Sequence, residues 1–319
     1  MTVRFYQSSD AGAPVLRGAT PGDLINVLDK CLVTGYGSKP AAGWSKPFQG
    51  ANIAVFKQGA GSNGMHLRVD DTSALNGNRA ARVVGYETMS DVDTGAPSPF
   101  PNAQQLPGGA YWYTHYTGNI ANARTWRIIA DEMFFWFFLG TYAENEGSND
   151  NYYQETYAFG DIIPYKPGDT THTVLLGFQR NSSNTSEPYP FEGQSLSGAV
   201  ATSILCVARS YTNLGGPIRC GWHTDHVKGS SNFGQGSLSY PHGPDGGLYL
   251  APVWMHEPQV SPYSVRGVMP GMWVPCHFNG ILGAWQTVIG QGQMAGKTFL
   301  VRKMASASAL FEISDTWER

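Results

Sequence analysis

Apolar and polar positions along the chain follow two periods. Near the start, Leu24, Leu28, Cys31 and Leu32 recur at helical spacing, with Ile25 and Val27 beside them. Thr20 is placed to cap such a helix, Pro21 to open it, and Asp23 to put negative charge in its first turn. Gly35 supplies a stop. Almost everything else alternates with a period of two. Met65, Leu67 and Val69 interleave with His66, Arg68 and Asp70, the signature of a half-buried strand. Residues 2–7, 53–57 and 80–89 read the same way. The expected result is a small α+β module, with one helix lying on an antiparallel sheet.

Residues 91–109 carry four Pro and three Gly with little periodicity, which predicts a loop or linker. Strand patterns then follow one another: residues 110–116, 124–131, 132–142, 156–164, 171–179, 199–210, 247–253, 271–274, the neighbourhood of Thr287, and 298–304. The expected fold is mainly β, with a small α+β N-terminal module over residues 1–95 and a Pro/Gly-rich linker over 96–109. A sandwich- or barrel-like β domain over 110–319 completes it. Segments 181–198 and 228–247 read as long exposed loops. One strand stands out: Phe134, Phe135, Trp136, Phe137, Phe138 and Leu139 run without a polar break, so both faces of it must be covered. One face suits the domain core. The other needs a second layer or a neighbouring subunit, which makes Phe134, Phe135, Trp136, Phe137 and Phe138 candidate interface residues.

Charge narrows the function. The 319 residues hold 21 Lys+Arg and 24 Asp+Glu, a net −3, and only 14% are charged, against about 25% in an average soluble protein. Without a basic excess there is no footprint for direct nucleic-acid binding. The longest apolar run is too short to span a bilayer as a helix. The opening residues lack the apolar core of a secretory signal, so a protein made in the cytoplasm is expected. Four Cys do not make a disulfide framework in a chain of 319 residues.

Candidate chemistry is sparse. Cys220, His223 and His226, with Asp225 between, have metal-ligating side chains at three-residue steps, and Cys276 with His277 could add to them. The spacing matches no strong metal signature, and polar loop or subunit-contact residues are the blander reading. Glu132, Glu144, Glu146, Asp150, Glu155, Asp161 and Asp169 lie near aromatic strands, as a glycosidase pair would, but no two are singled out. Asp70, Asp71, Asp91 and Asp93 have the oxygen donors of a calcium site or, more simply, of turns and caps. No nucleophile elbow or phosphate-binding loop is present. No catalytic residue and no cofactor are expected.

The N-terminal module resembles a family of tailed-bacteriophage virion structural proteins. The resemblance rests on residues 8–18 (SSDAGAPVLRG), 29–44 (DKCLVTGYGSKPAAGW), 48–55, 67–71 (LRVDD) and 81–95 (ARVVGYETMSDVDTG). It continues patchily through 126–131 and 159–169. It implies a non-enzymatic virion component that partners other virion proteins, with self-association expected from the low charge and aromatic strands. A tail or baseplate position is favoured over a head-surface or vertex decoration. A glycan-binding adhesin or receptor-binding module, using the two long loops, is the alternative.

Overall fold

The computed structural model describes residues 2–72, 74–75, 78–103, 106, 108–115, 121–140, 154–179, 203–213, 219–224, 250–257, 264–275, 282–303, 308–314 and 316–318. The fold is mainly β, with one short α-helix among the described residues, α1 (Asp23–Asp29). The N-terminal strands are β1 (Arg4–Gln7), β2 (Ser45–Gly50), β3 (Ile53–Lys57), β4 (His66–Asp70), β5 (Ala74–Leu75), β6 (Asn78–Tyr86), β7 (Thr88–Asp91), β8 (Thr94–Ala96) and β9 (Ala110–His115). Next come β10 (Trp126–Ala130), β11 (Phe134–Gly140), β12 (Gln154–Asp161), β13 (Ile163–Pro164), β14 (Thr173–Gln179) and β15 (Ser203–Val207). The last group is β16 (Arg219–Thr224), β17 (Leu250–Glu257), β18 (Ser264–Pro275), β19 (Thr287–Ile289), β20 (Thr298–Lys303) and β21 (Ser308–Glu312).

Among the described residues all pairings are antiparallel, and they sort into three stacked layers. The middle layer runs β1, β10, β11, β12, β14, β15. One outer layer runs β2, β3, β4, β6, β9, and α1 packs with it. The other runs from β16 through β17, β18, β21 and β20 to β19. Strand β14 is a branch point. Its first half pairs with β12, its last two residues pair with β9, and its opposite edge pairs with β15. The hairpin β7–β8 stands apart as a two-stranded sheet.

Strand β11 shows how the sequence dictates the stack. Phe135, Phe137 and Leu139 face α1 and the first outer layer, whereas Phe134, Trp136 and Phe138 face the C-terminal layer. Successive side chains of a strand point to opposite faces, so an unbroken apolar run requires partners on both. The partners are the chain's own. Trp44 meets the Phe135 ring edge-on at 5.4 Å, and Phe311 meets Trp136 at 5.0 Å. Burial of each of these side chains contributes roughly 1.5–3 kcal/mol.

Two expectations change here. The helix does not use Thr20 as its cap. Gly22 precedes it in a left-handed conformation at φ 89°, and the Asp71 carboxylate, just after β4, accepts the Gly22 N–H at 2.6 Å. Burial pushes the Asp71 carboxyl up, opposed by the Arg79 guanidinium and the helix N–H groups. At the other end α1 widens into a π-type turn over Lys30–Thr34 before Gly35 at φ 77°. The carbonyls of Cys31 and Leu32 then accept N–H bonds from Ala42, Gly43 and Trp44 at 2.9–3.1 Å, so the Pro/Gly-rich exit serves as the helix terminus. Asp71→Ala is expected to cost about 2 kcal/mol in denaturant melts. Arg79 keeps its bond to the residue 71 carbonyl, which limits the loss.

The second change concerns the proposed units. Strand β1 pairs with β10 and β6 pairs with β9, so the hydrogen-bond ladder crosses the expected 96–109 boundary twice. One hydrophobic cluster includes Leu24, Phe56 and Val83 together with Phe137, Tyr157 and Leu175. The expected linker is itself packed: Phe100 is 1% exposed, exchanges backbone hydrogen bonds with Gly85, and stacks on Phe159 at 6.1 Å. Only glycine suits position 85, because a Cβ there would sit 2.3 Å from the Phe100 ring.

Candidate functional site: a buried polar seam between the layers

A buried polar constellation runs from the first outer layer, across the middle layer, to the C-terminal one. Asp161 ends β12. Its Oδ1 accepts from Gln58 Nε2 at 2.8 Å and from the Thr173 hydroxyl, and its Oδ2 accepts the Asn63 N–H at 2.7 Å. Gln58 and Asn63 belong to the turn between β3 and β4, so this carboxylate fixes that turn to the middle layer. His172 comes next. Its Nε2 lies 3.9 Å from Asp161 Oδ2, and its Nδ1 lies 3.3 Å from Asn63 Nδ2 and 3.8 Å from Asp169 Oδ1.

Asp169 is presented by a tight turn in which Gly168 adopts φ 71° and the Asp169 carboxylate accepts the Thr171 N–H at 3.0 Å. Arg266 of β18 binds it with a fork, Nε to Oδ2 at 2.6 Å and Nη2 to Oδ1 at 3.0 Å. The same guanidinium donates from Nη1 to the Arg209 carbonyl at 2.8 Å and to Glu257 of β17. Glu257 also accepts the Tyr211 N–H at 3.0 Å. Asp161 and Glu257 are 0–1% exposed, and Arg266 is 2% exposed. Burial works against the Asp169 carboxylate, but the neighbouring His172, Arg266 and Thr171 outweigh it and hold its pKa well below the usual carboxylate range.

The seam clamps three layers together with charge-assisted bonds, and it holds an imidazole beside two carboxylates. Its carboxylates already accept bonds from the chain itself.

Other residues singled out from sequence fall elsewhere. Cys220 and His223 lie on β16, with backbone partners Leu205 and Trp254, but their side chains, together with all of His226, Cys276 and His277, are outside the described residues. Among the described residues no group of three His, Cys, Asp or Glu is placed to hold a metal ion. Of the acidic set, Asp161 and Asp169 meet at His172, and the other described members lie elsewhere. Glu132 faces Arg4 at 4.0 Å, Glu155 is buried beside Tyr157 in the core, and Glu144, Glu146 and Asp150 are outside the described residues. The calcium-type set is divided as well. Asp70 and Asp93 flank Arg68 at 3.6 and 2.6 Å, Asp71 caps α1, and Asp91 accepts the Val92 N–H. The loops at 181–198 and 228–247 are outside the described residues.

The interface assignment of Phe134, Phe135, Trp136, Phe137 and Phe138 is corrected. All five are 0–1% exposed within a single chain. The layer that covers their second face is the C-terminal sheet, so no neighbouring subunit is needed there. Of the seam, sequence reasoning had named only Asp161 and Asp169. His172, Glu257 and Arg266 carried no signal, because residues 58 to 266 converge on this point only through the fold.

No helix among the described residues is long and apolar enough to cross a membrane. No family model and no curated protein matches the chain.

Proposed function

We propose that this chain is a non-enzymatic structural component of a tailed-phage virion, a tail or baseplate subunit that works through protein–protein contacts. Decoration of the head surface or a vertex is the rival position. One observation carries the reading: the stretch that most resembles the phage family is used for internal joints. Asp10 accepts from the Tyr36 hydroxyl at 2.8 Å and from the Gln7 N–H at 3.0 Å. Lys39 donates to the Phe5 carbonyl at 2.9 Å, and the Trp44 indole N–H donates to the Asp131 carbonyl at 2.8 Å. Gly35, Gly37 and Gly43 all take positive φ. A sequence signature spent on holding strands in register suits a building block better than a catalyst.

With the aromatic strand turned inward, partner contacts fall to other surfaces. The β7–β8 hairpin is largely exposed, and Tyr165, Val265 and Ile289 are 54%, 47% and 70% exposed. Purified tails and purified heads, analysed separately by quantitative peptide mass spectrometry, test the assignment. The protein is expected in tails at a fixed ratio to other tail subunits. Recovery with heads alone would transfer it to the decoration role, and absence from both would end the virion reading.

A further inference from the structure

The environment of His172 offers its ring two incompatible sets of partners. In the structure Nδ1 lies 3.3 Å from Asn63 Nδ2, whose amide also reaches the Thr173 hydroxyl at 3.1 Å. An amide NH2 can only donate, so this arrangement requires an unprotonated Nδ1 as acceptor. A doubly protonated ring has two N–H donors and must turn away from that amide. Its nearest acceptors are already in place: Asp169 Oδ1 at 3.8 Å from Nδ1 and Asp161 Oδ2 at 3.9 Å from Nε2.

The charged groups around the ring come from β12, the 165–170 turn, β18 and β17. Asp161 faces it from β12 and Asp169 from the 165–170 turn. Arg266 of β18 stands behind Asp169, and Glu257 of β17 stands behind Arg266. The β3–β4 turn contributes only the neutral Gln58 and Asn63, and β14 contributes Thr173. Asp169 and Glu257 thus share the Arg266 guanidinium, and Asp161 faces the ring from the other side with neutral hydrogen-bond donors on it.

We infer that His172 is a proton-operated coupling between the N-terminal turn and the C-terminal layer: the neutral ring holds Asn63, and the charged ring releases Asn63 and draws in Asp169. Acidification then loosens the turn over residues 58–65 while it tightens the junction to Arg266. The element is bistable because the two partner sets cannot be satisfied together.

Hydrogen exchange compared between pH 7.5 and 5.5, corrected for intrinsic rates, reads the coupling directly. In the full chain, protection of residues 58–65 is expected to fall about tenfold over that range. His172→Gln and Asp169→Asn are expected to show no such change. An unchanging wild type, or a His172→Gln chain that responds as the wild type does, would overturn the proposal. A response retained in Asp169→Asn would refute the exchange of partners. Should either variant fail to fold, NMR of the wild type decides: the Asn63 side-chain amide must move with the same midpoint as the His172 ring, and an Asn63 amide indifferent to pH sinks the idea.

Discussion

Trp136→Ala is expected to lower stability by about 4 kcal/mol while leaving the solution mass of the folded protein unchanged. Trp136 is 0% exposed and sits in β11 between the middle and C-terminal layers. Its ring meets Phe134 at 5.1 Å and Phe311 at 5.0 Å, and its indole N–H donates to the Pro270 carbonyl at 2.8 Å. Truncation opens a cavity bounded by two sheets that cannot collapse independently, and it leaves a buried carbonyl without its donor. Thermal or urea unfolding gives the first quantity and light scattering at native conditions gives the second. An outcome with stability intact and a changed oligomeric mass would return this strand to a subunit interface. Trp136→Phe keeps most of the volume and should lose roughly half as much.

Arg266→Ala carries a comparable cost for an electrostatic reason. Removing the guanidinium leaves Asp169 and Glu257 buried as carboxylates with no cation between them, and breaking a buried pair in this way costs about 3–5 kcal/mol. The effect must be strongly non-additive. Arg266→Met combined with Asp169→Asn and Glu257→Gln removes the unpaired charge along with its partner, and it should recover much of the loss. The pH dependence fixes the sign. Asp169 titrates well below the usual carboxylate range in the fold, so its contribution is complete above an unfolded carboxyl value of about 3.9 and is lost as pH falls toward the folded value. In Arg266→Ala the stability profile should therefore flatten on the acid side. Unfolding midpoints measured from pH 7 down to 3 test this, and parallel profiles would show that the pair contributes nothing.

How far the sequence revealed this molecule depends on the range over which each feature is built. Helix α1, β3, β4 and the aromatic β11 were legible because each is specified by residues within one short window. The apolar run in β11 also announced that two layers must cover it, though not that both came from the same chain. The true cap of α1 was invisible, since Asp71 is 49 residues beyond Gly22 and no local pattern joins them. Strand β2 was missed because its positions alternate between exposed and half-buried with hardly an apolar residue. Hairpin β7–β8 was absorbed into a loop by its turn-forming residues. The seam was hidden for the same reason as the cap: Gln58, Asp161, His172 and Arg266 are ordinary polar residues until β12, β14 and β18 bring them together.

The pairing of β1 with β10 also sets an order of events on the ribosome. Arg4 must wait for Ala130 before its ladder can close, and the cluster that holds α1 lacks Phe135, Phe137 and Leu139 until β11 has emerged. The N-terminal module is thus translated early but completed late, because its edge strand and its core both draw on residues beyond 125. Long-range antiparallel closure of this kind is slow, and it sets the N-terminal strands among the last to be completed.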